Sequence, residues 1–389
     1  MSMRHVSVLL VSLVAAVVGR GGAQGGGTVK VTDGGTQLND ATWECVAGHS
    51  IAKRKITLDS GARRYTFQIS GCQDPSHEGK HPCAEGNLGM PEPVADNWYW
   101  GGFLRVLVNG TDATVCDIRD LRVTEQGSRG AFQIVWSHPD AEVGLRLLML
   151  PGGNHVLADF VWKPTPGVAV QSIGLQLTCY PSFFTAARHR QGERHCRTPR
   201  VDQAQPTTLT LDPAQDTYLY YYDAVFDVAA GEGDGPCAAL VAPAGVAGGR
   251  VLIGDYAVQT ELDLKPEAGE ARLAFYDFAG LTNAEAGGYL KEHGAGDLSE
   301  LEQMDFRPEA VRALNVEQLR TEALKLIADA AEDGQALEPQ VRALLDKLGE
   351  LNTRATAGDW IAEADMATAL LDSEDLLWRL RAFAALNSP

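Results

Sequence analysis

Three stretches of this chain carry residues whose types and spacing could do chemistry. Residues 71–86 read GCQDPSHEGKHPCAEG, in which Cys72 and Cys83 enclose Asp74, His77, Glu78 and His81. The letters satisfy H-E-x-x-H, a spacing that on a helix aims two imidazoles at one zinc ion beside a water-activating carboxylate. Pro75, Gly79 and Pro82 oppose a helix here, and a Cys72–Cys83 bridge would close a loop too tight to hold one. The expectation is a disulfide-closed polar loop and no cofactor, with His77 and His81 as the metal-ligand candidates.

The second stretch, CYPSFFTAARHRQGERHCRTPR (179–200), places Arg188, His189, Arg190, Arg194 and His195 between Cys179 and Cys196, a second expected bridge. The planar guanidinium fork suits carboxylate, sulfate or phosphate, so Arg188, Arg190 and Arg194 are candidate ligands for an anion. The competing reading pairs these arginines with the chain's own excess of carboxylates. His77, His81, His189 and His195 are the candidate acids and bases, should the protein be an enzyme.

The third stretch is DNWYWGGF (96–103), where Trp98 and Trp100 could offer flat faces to a sugar ring beside two glycines. Against this stands the period of a strand, which would send alternate members into a core. Asp223, Asp227, Glu232 and Asp234 crowd a fourth segment, but the spacing of a calcium-binding EF-hand is absent and a solvated turn accounts for them. No nucleophile elbow, P-loop or dinucleotide fingerprint occurs in a strand–turn–helix setting.

The elements that must position these residues change character near Gly280. Residues 28–280 read as short strands joined by tight turns. RVLVNGTDATV places Asn109-Gly110, a type I′ pair, between two β-like runs, and LRVTEQGSRGAFQIVW and GLRLLMLPGGNHVLADFVW repeat the pattern with longer turns. Such short connections cannot hold crossover helices, which predicts a large antiparallel β-sandwich of roughly 14 to 18 strands with Trp136 and Trp162 in its core. Residues 281–389 are rich in Ala, Leu, Glu and Arg and predict a C-terminal helical bundle or tail. Asn315 caps one helix, Gly334 ends it, and Pro339 opens the next in its first turn. Val341, Leu344, Leu345, Leu348 and Leu351 then line one face, and Ser373 caps the last helix.

This architecture over 28–280 resembles the galactose-mutarotase-like supersandwiches found in epimerases and polysaccharide lyases. The resemblance implies a carbohydrate-associated protein.

Arg4 and His5 precede an apolar run, Val6 to Val18, followed by GRGGAQ. Residues 1–23 are expected to form an export signal cut after Ala23, leaving a secreted or periplasmic protein. No other run approaches the ~18–20 apolar residues of a membrane-spanning helix. All seven cysteines precede residue 238, and an odd count leaves at least one unpaired. The formal charge of −18 disfavours nucleic acid as a partner. The leading expectation is an exported protein that binds carbohydrate, uronate-type glycan included, through loops at one end of the sandwich. The alternative is an envelope assembly protein that docks or self-associates through 281–389. A third is a lyase- or epimerase-like enzyme.

Overall fold

The computed structural model describes residues 27–40, 50–72, 88–184 and 190–387. The molecule is mainly antiparallel β with a helical C-terminal region. In chain order the strands are β1 (Lys30–Asp40), β2 (Ser50–Asp59), β3 (Arg64–Cys72), β4 (Leu88–Glu92), β5 (Leu104–Val108) and β6 (Thr111–Asp112). Next come β7 (Asp117–Glu125), β8 (Gly130–Ser137), β9 (Ala141–Met149), β10 (His155–Pro164), β11 (Ile173–Cys179), β12 (Arg194–Arg197) and β13 (Asp202–Ala204). The last are β14 (Thr207–Leu211), β15 (Tyr218–Asp223), β16 (Cys237–Val241), β17 (Val246–Ile253), β18 (Val258–Leu264) and β19 (Glu270–Asp277).

They form two sheets. The 10-stranded sheet runs β1-β2-β3-β4-β5-β11-β18-β17-β14, with β6 paired to β5, and the 9-stranded sheet runs β13-β12-β15-β16-β19-β10-β9-β8-β7. Sequence-adjacent strands pair along β1 to β5 and along β7 to β10, while β11 joins the larger sheet between β5 and β18 and β14 closes it beside β17. The Asn109-Gly110 turn forms as its letters require, with φ of 49° and 81°. Its second strand is only two residues long, because Asp112 caps a short 3-10 turn, Ala113–Val115, instead of extending the ladder.

Strand alternation fills the space between the sheets. Phe67, Trp98, Phe103, Phe132, Trp136, Phe160, Tyr221 and Phe275 are all buried in one core, and Trp162 joins them. Trp98, Phe103 and Phe275 meet edge-on or tilted with centroids 5.2–5.8 Å apart, a favoured aromatic geometry.

The sandwich unit extends from Gly27 to Asp305, beyond the change of period at Gly280. Its last element is helix α1 (Asn283–Gln303), opened by a capping box between Thr282 and Glu285. The Tyr220 hydroxyl donates to Asn283 O at 2.8 Å and the Tyr276 hydroxyl to Asp297 Oδ2 at 2.7 Å. Those bonds hold α1 on the outer face of the 9-stranded sheet.

The second unit comprises α2 (Glu309–Arg312), α3 (Val316–Asp329), α4 (Ala331–Thr356), α5 (Trp360–Asp372) and α6 (Glu374–Asn387). Asn315 caps α3 by accepting from Gln318 N at 3.0 Å. Val341, Leu344, Leu345, Leu348 and Leu351 are all buried on one face of α4. Three local expectations fail. Gly334 lies inside α4, where a Cβ would come within 2.3 Å of Ile327 O, so it permits close approach instead of ending a helix. Pro339 lies in the interior of α4 and not in a first turn. The Ser373 hydroxyl donates back to Ala369 O at 2.6 Å and does not cap α6.

Candidate ligand-binding face

The outward positions of the larger sheet's central strands make a polar row. Register pairs Arg105 with Gln176, Gln176 with Glu261, and Glu261 with Arg250 across β5, β11, β18 and β17. One step along, Thr178 pairs with Gln259. Their neighbours Val106, Leu175, Leu177, Val258 and Leu262 point into the core, so the period of two separates an outward polar row from the core that supports it.

A loop is stitched onto the end of β11. Trp98 makes a lone β-bridge with Cys179, and Tyr99 N donates to Thr178 O at 3.4 Å. Alternation then sends Trp98 inward, where it is wholly buried and donates Nε1–H to Tyr276 O at 2.9 Å. Trp98 is therefore a core residue and not half of a stacking platform. Tyr99 emerges in its place. Trp100 lies across β4: a Cβ on Gly89 would sit 1.6 Å from Trp100 O, so the approach requires glycine. The Trp100 ring has the Lys53 ammonium 5.9 Å from its centroid.

Tyr99, Tyr180, Phe184 and Tyr256 form a continuous aromatic wall. Tyr180 stands 5.2 Å from Tyr99, 4.6 Å from Phe184 and 5.0 Å from Tyr256 between centroids. Between this wall and the polar row is a cleft of 210 Å³ lined by Tyr99, Gly102, Arg105, Gln176, Thr178, Tyr180, Gln259 and Glu261. Among the described residues, no protein group hydrogen-bonds the side chains of Gln176, Thr178 or Gln259. The charges at the margin are already balanced: Arg250 Nε lies 2.6 Å from Glu261 and Arg105 Nε 3.7 Å from Asp112.

Arg194 holds the wall from behind. It is fully buried, donating to Pro181 O at 2.9 Å and Phe183 O at 2.7 Å, with Asp255 O at 3.4 Å. Asp96 Oδ2 accepts from Phe184 N at 3.0 Å, and burial pushes its carboxyl up to about 6. Arg194 therefore positions Tyr180 and Tyr256 and does not meet a ligand.

The remaining candidates disperse. Arg190 is exposed, bonds Glu232 at 2.6 Å and overlies Phe226. Arg197 pairs with Asp202 and Arg200 with Asp216. In this part of the loop the arginines meet the chain's own carboxylates. His195 stacks on Tyr222 at 4.6 Å on the outer face of the other sheet, its Nδ1 3.2 Å from Asp202 Oδ1. Arg188, His189, His77, His81 and Cys83 lie outside the described residues, as does the side chain of Cys72.

The expected Cys179–Cys196 bridge does not form. Cys179 ends β11 of one sheet with its thiol toward Val258 O at 3.7 Å, while Cys196 sits in β12 of the other, and both are free thiols together with Cys116 and Cys237. Of the acidic segment, Asp223 is buried and accepts from Val225 N and Phe226 N, and Asp227 caps a 3-10 turn. Among the described residues no group of three His, Cys, Asp or Glu side chains could hold a metal ion.

Sequence reasoning missed Gln176, Thr178, Gln259, Glu261, Tyr180 and Tyr256. The alternation that turns these residues outward was present in IGLQLTC and VQTELDL, but it is the pattern of any strand with one face to water.

No protein-family model matches the chain, and no curated protein does. Several solved structures match part or most of the chain at low identity. An α-N-acetylgalactosaminidase of Bifidobacterium bifidum is 10% identical with a TM-score of 0.35, covering 64% of this chain and 38% of its own. A GH36 α-galactosidase of Geobacillus stearothermophilus is 10% identical with a TM-score of 0.29, covering 58% and 40%. A TPR-domain protein of Parabacteroides distasonis is 8% identical with a TM-score of 0.34, covering 93% and 88%. The chain thus spans about two fifths of the length of these two glycosidases.

Proposed function

We propose that the outer face of the larger sheet binds carbohydrate, in a protein exported by the leader at residues 1–23. The observation that carries the reading is the row of Gln176, Thr178 and Gln259, unpaired among the described residues, beside an aromatic wall in one cleft. A side-chain amide offers a donor and an acceptor together, the pattern that adjacent sugar hydroxyls match. An aromatic face covers the C–H face of a pyranose. The arginines nearest the cleft are paired or buried, which favours a neutral glycan over a uronate.

Glycan-array screening followed by calorimetric titration tests this. A neutral oligosaccharide is expected to bind, with affinity falling about three- to tenfold in Gln176→Ala, the weight of one hydrogen bond. Tyr256→Ala, at a half-exposed ring, is expected to weaken binding by a similar factor. Binding of uronates alone would move the site to the arginine-bearing loop, and an empty array would remove the proposal.

A second reading, self-association through the helical unit, is favoured by Leu371, Trp378 and Leu386, which are 64%, 66% and 81% exposed. Sedimentation of wild type against Trp378→Glu decides it: a monomer in both excludes this role.

A further inference from the structure

The 9-stranded sheet carries a second cavity, of 260 Å³, where α1 passes the turn between β9 and β10. One wall is that turn, Leu150 to Asn154, which is pinned in advance. The Ser60 hydroxyl donates to Gly153 O and the Tyr65 hydroxyl to Asn154 O, each at 2.8 Å, and Gly152 N donates to Ser60 O at 2.9 Å. The other wall is Tyr289, Asp297 and Glu300 of α1, the two acids standing three residues apart on one helical face. No Lys or Arg is among the described residues that line it.

His155 forms the floor and is only 7% exposed, its ring 4.8 Å from that of Tyr276. Its Nδ1 has no partner, and its Nε2 stops 3.8 Å short of Glu300 Oε2. Among the described residues nothing bonds Nδ1, and leaving that nitrogen of a buried imidazole unsatisfied is costly.

We propose that this cavity binds a compact organic ammonium ligand of amino-sugar size, with Asp297 and Glu300 meeting its charge and His155 accepting one of its N–H protons. Two carboxylates without a lining Lys or Arg among the described residues supply the sign. The volume approaches the lower end of small-molecule pockets, about 300 Å³. A bare metal ion is the poorer occupant, since no set of three ligating side chains converges among the described residues. Burial holds His155 below its ordinary pKa, although Asp297 opposes this, and the neutral imidazole is the form that accepts a proton. The inference stands apart from the glycan-binding face, which lies on the other sheet.

Isothermal titration of the full chain with glucosamine and with N-acetylglucosamine is the test. Glucosamine is expected to bind saturably and N-acetylglucosamine, with the same ring and no charge, at least about tenfold more weakly. Glu300→Gln and His155→Ala are each expected to lower glucosamine affinity by about tenfold, and Gln176→Ala to leave it unchanged. Should His155→Ala melt the fold, Glu300→Gln on a partly exposed side chain still decides. Equal affinity for the two sugars, no glucosamine binding, a wild-type titration in Glu300→Gln, or loss in Gln176→Ala would each overturn the assignment.

Discussion

Trp98 shows how one side chain can support the proposed binding face without lining its cleft. Its indole fills the core against Phe103, Tyr221 and Phe275, and its N–H crosses to the opposite sheet. Trp98→Ala should cost about 3–5 kcal/mol through the cavity left behind, read as a lower denaturant midpoint. Asp277 sets a pH dependence. It is fully buried, and burial lifts its carboxyl from 3.8 to about 7, despite hydrogen bonds from Asn97 and Ala279 N. The folded chain therefore keeps a proton that the unfolded chain has already lost. Stability from this group falls as pH rises from about 4 to 7, then levels. Asp277→Asn keeps the acceptor oxygen, so it should flatten that slope and raise stability at pH 8 by on the order of a few kcal/mol, measured by urea melts at several pH values.

At the scale of elements, the cleft depends on loops held by buried polar bonds. Arg194→Met would leave Pro181 O and Phe183 O without their donor, so the segment that carries Tyr180 and Phe184 should loosen. Faster proteolysis at 181–184, about tenfold weaker glycan binding and a lower melting temperature are expected together. In the helical unit, Asn315→Ala should cost about 1 kcal/mol, visible in thermal melts. The strands were legible because turn chemistry and period-two patterning are local. RVLV became β5, GAFQIVW became β8, GLRLLM became the end of β9, and Asn109-Gly110 made its turn. The cleft was not legible to the same degree, because it depends on residue 98 bridging residue 179 and on β5, β11 and β18 becoming neighbours. Spacing in the sequence carries no record of that. Gly334 and Pro339 misled for a related reason: the packing of α3 against α4 outweighs the residues' own preference to break a helix.

At the scale of the whole molecule, charge and compartment make separate predictions. The proposed glycan cleft has its ionic partners paired, so affinity should change less than about twofold between low and high salt, whereas an anionic ligand would follow ionic strength. Expression with the leader intact should yield an exported protein whose first residue, by mass spectrometry of the N-terminus, is Gln24; retention of Met1 would refute export.

The buried thiols of Cys179, Cys196 and Cys237 have a further consequence. Each is shut away between the sheets, and burial raises the pKa of Cys196 and Cys237 so that neither readily forms a thiolate. An alkylating reagent can reach them only when the sandwich parts. The molecule thus contains its own stopwatch: the rate at which their peptides gain label records how often the two sheets come apart.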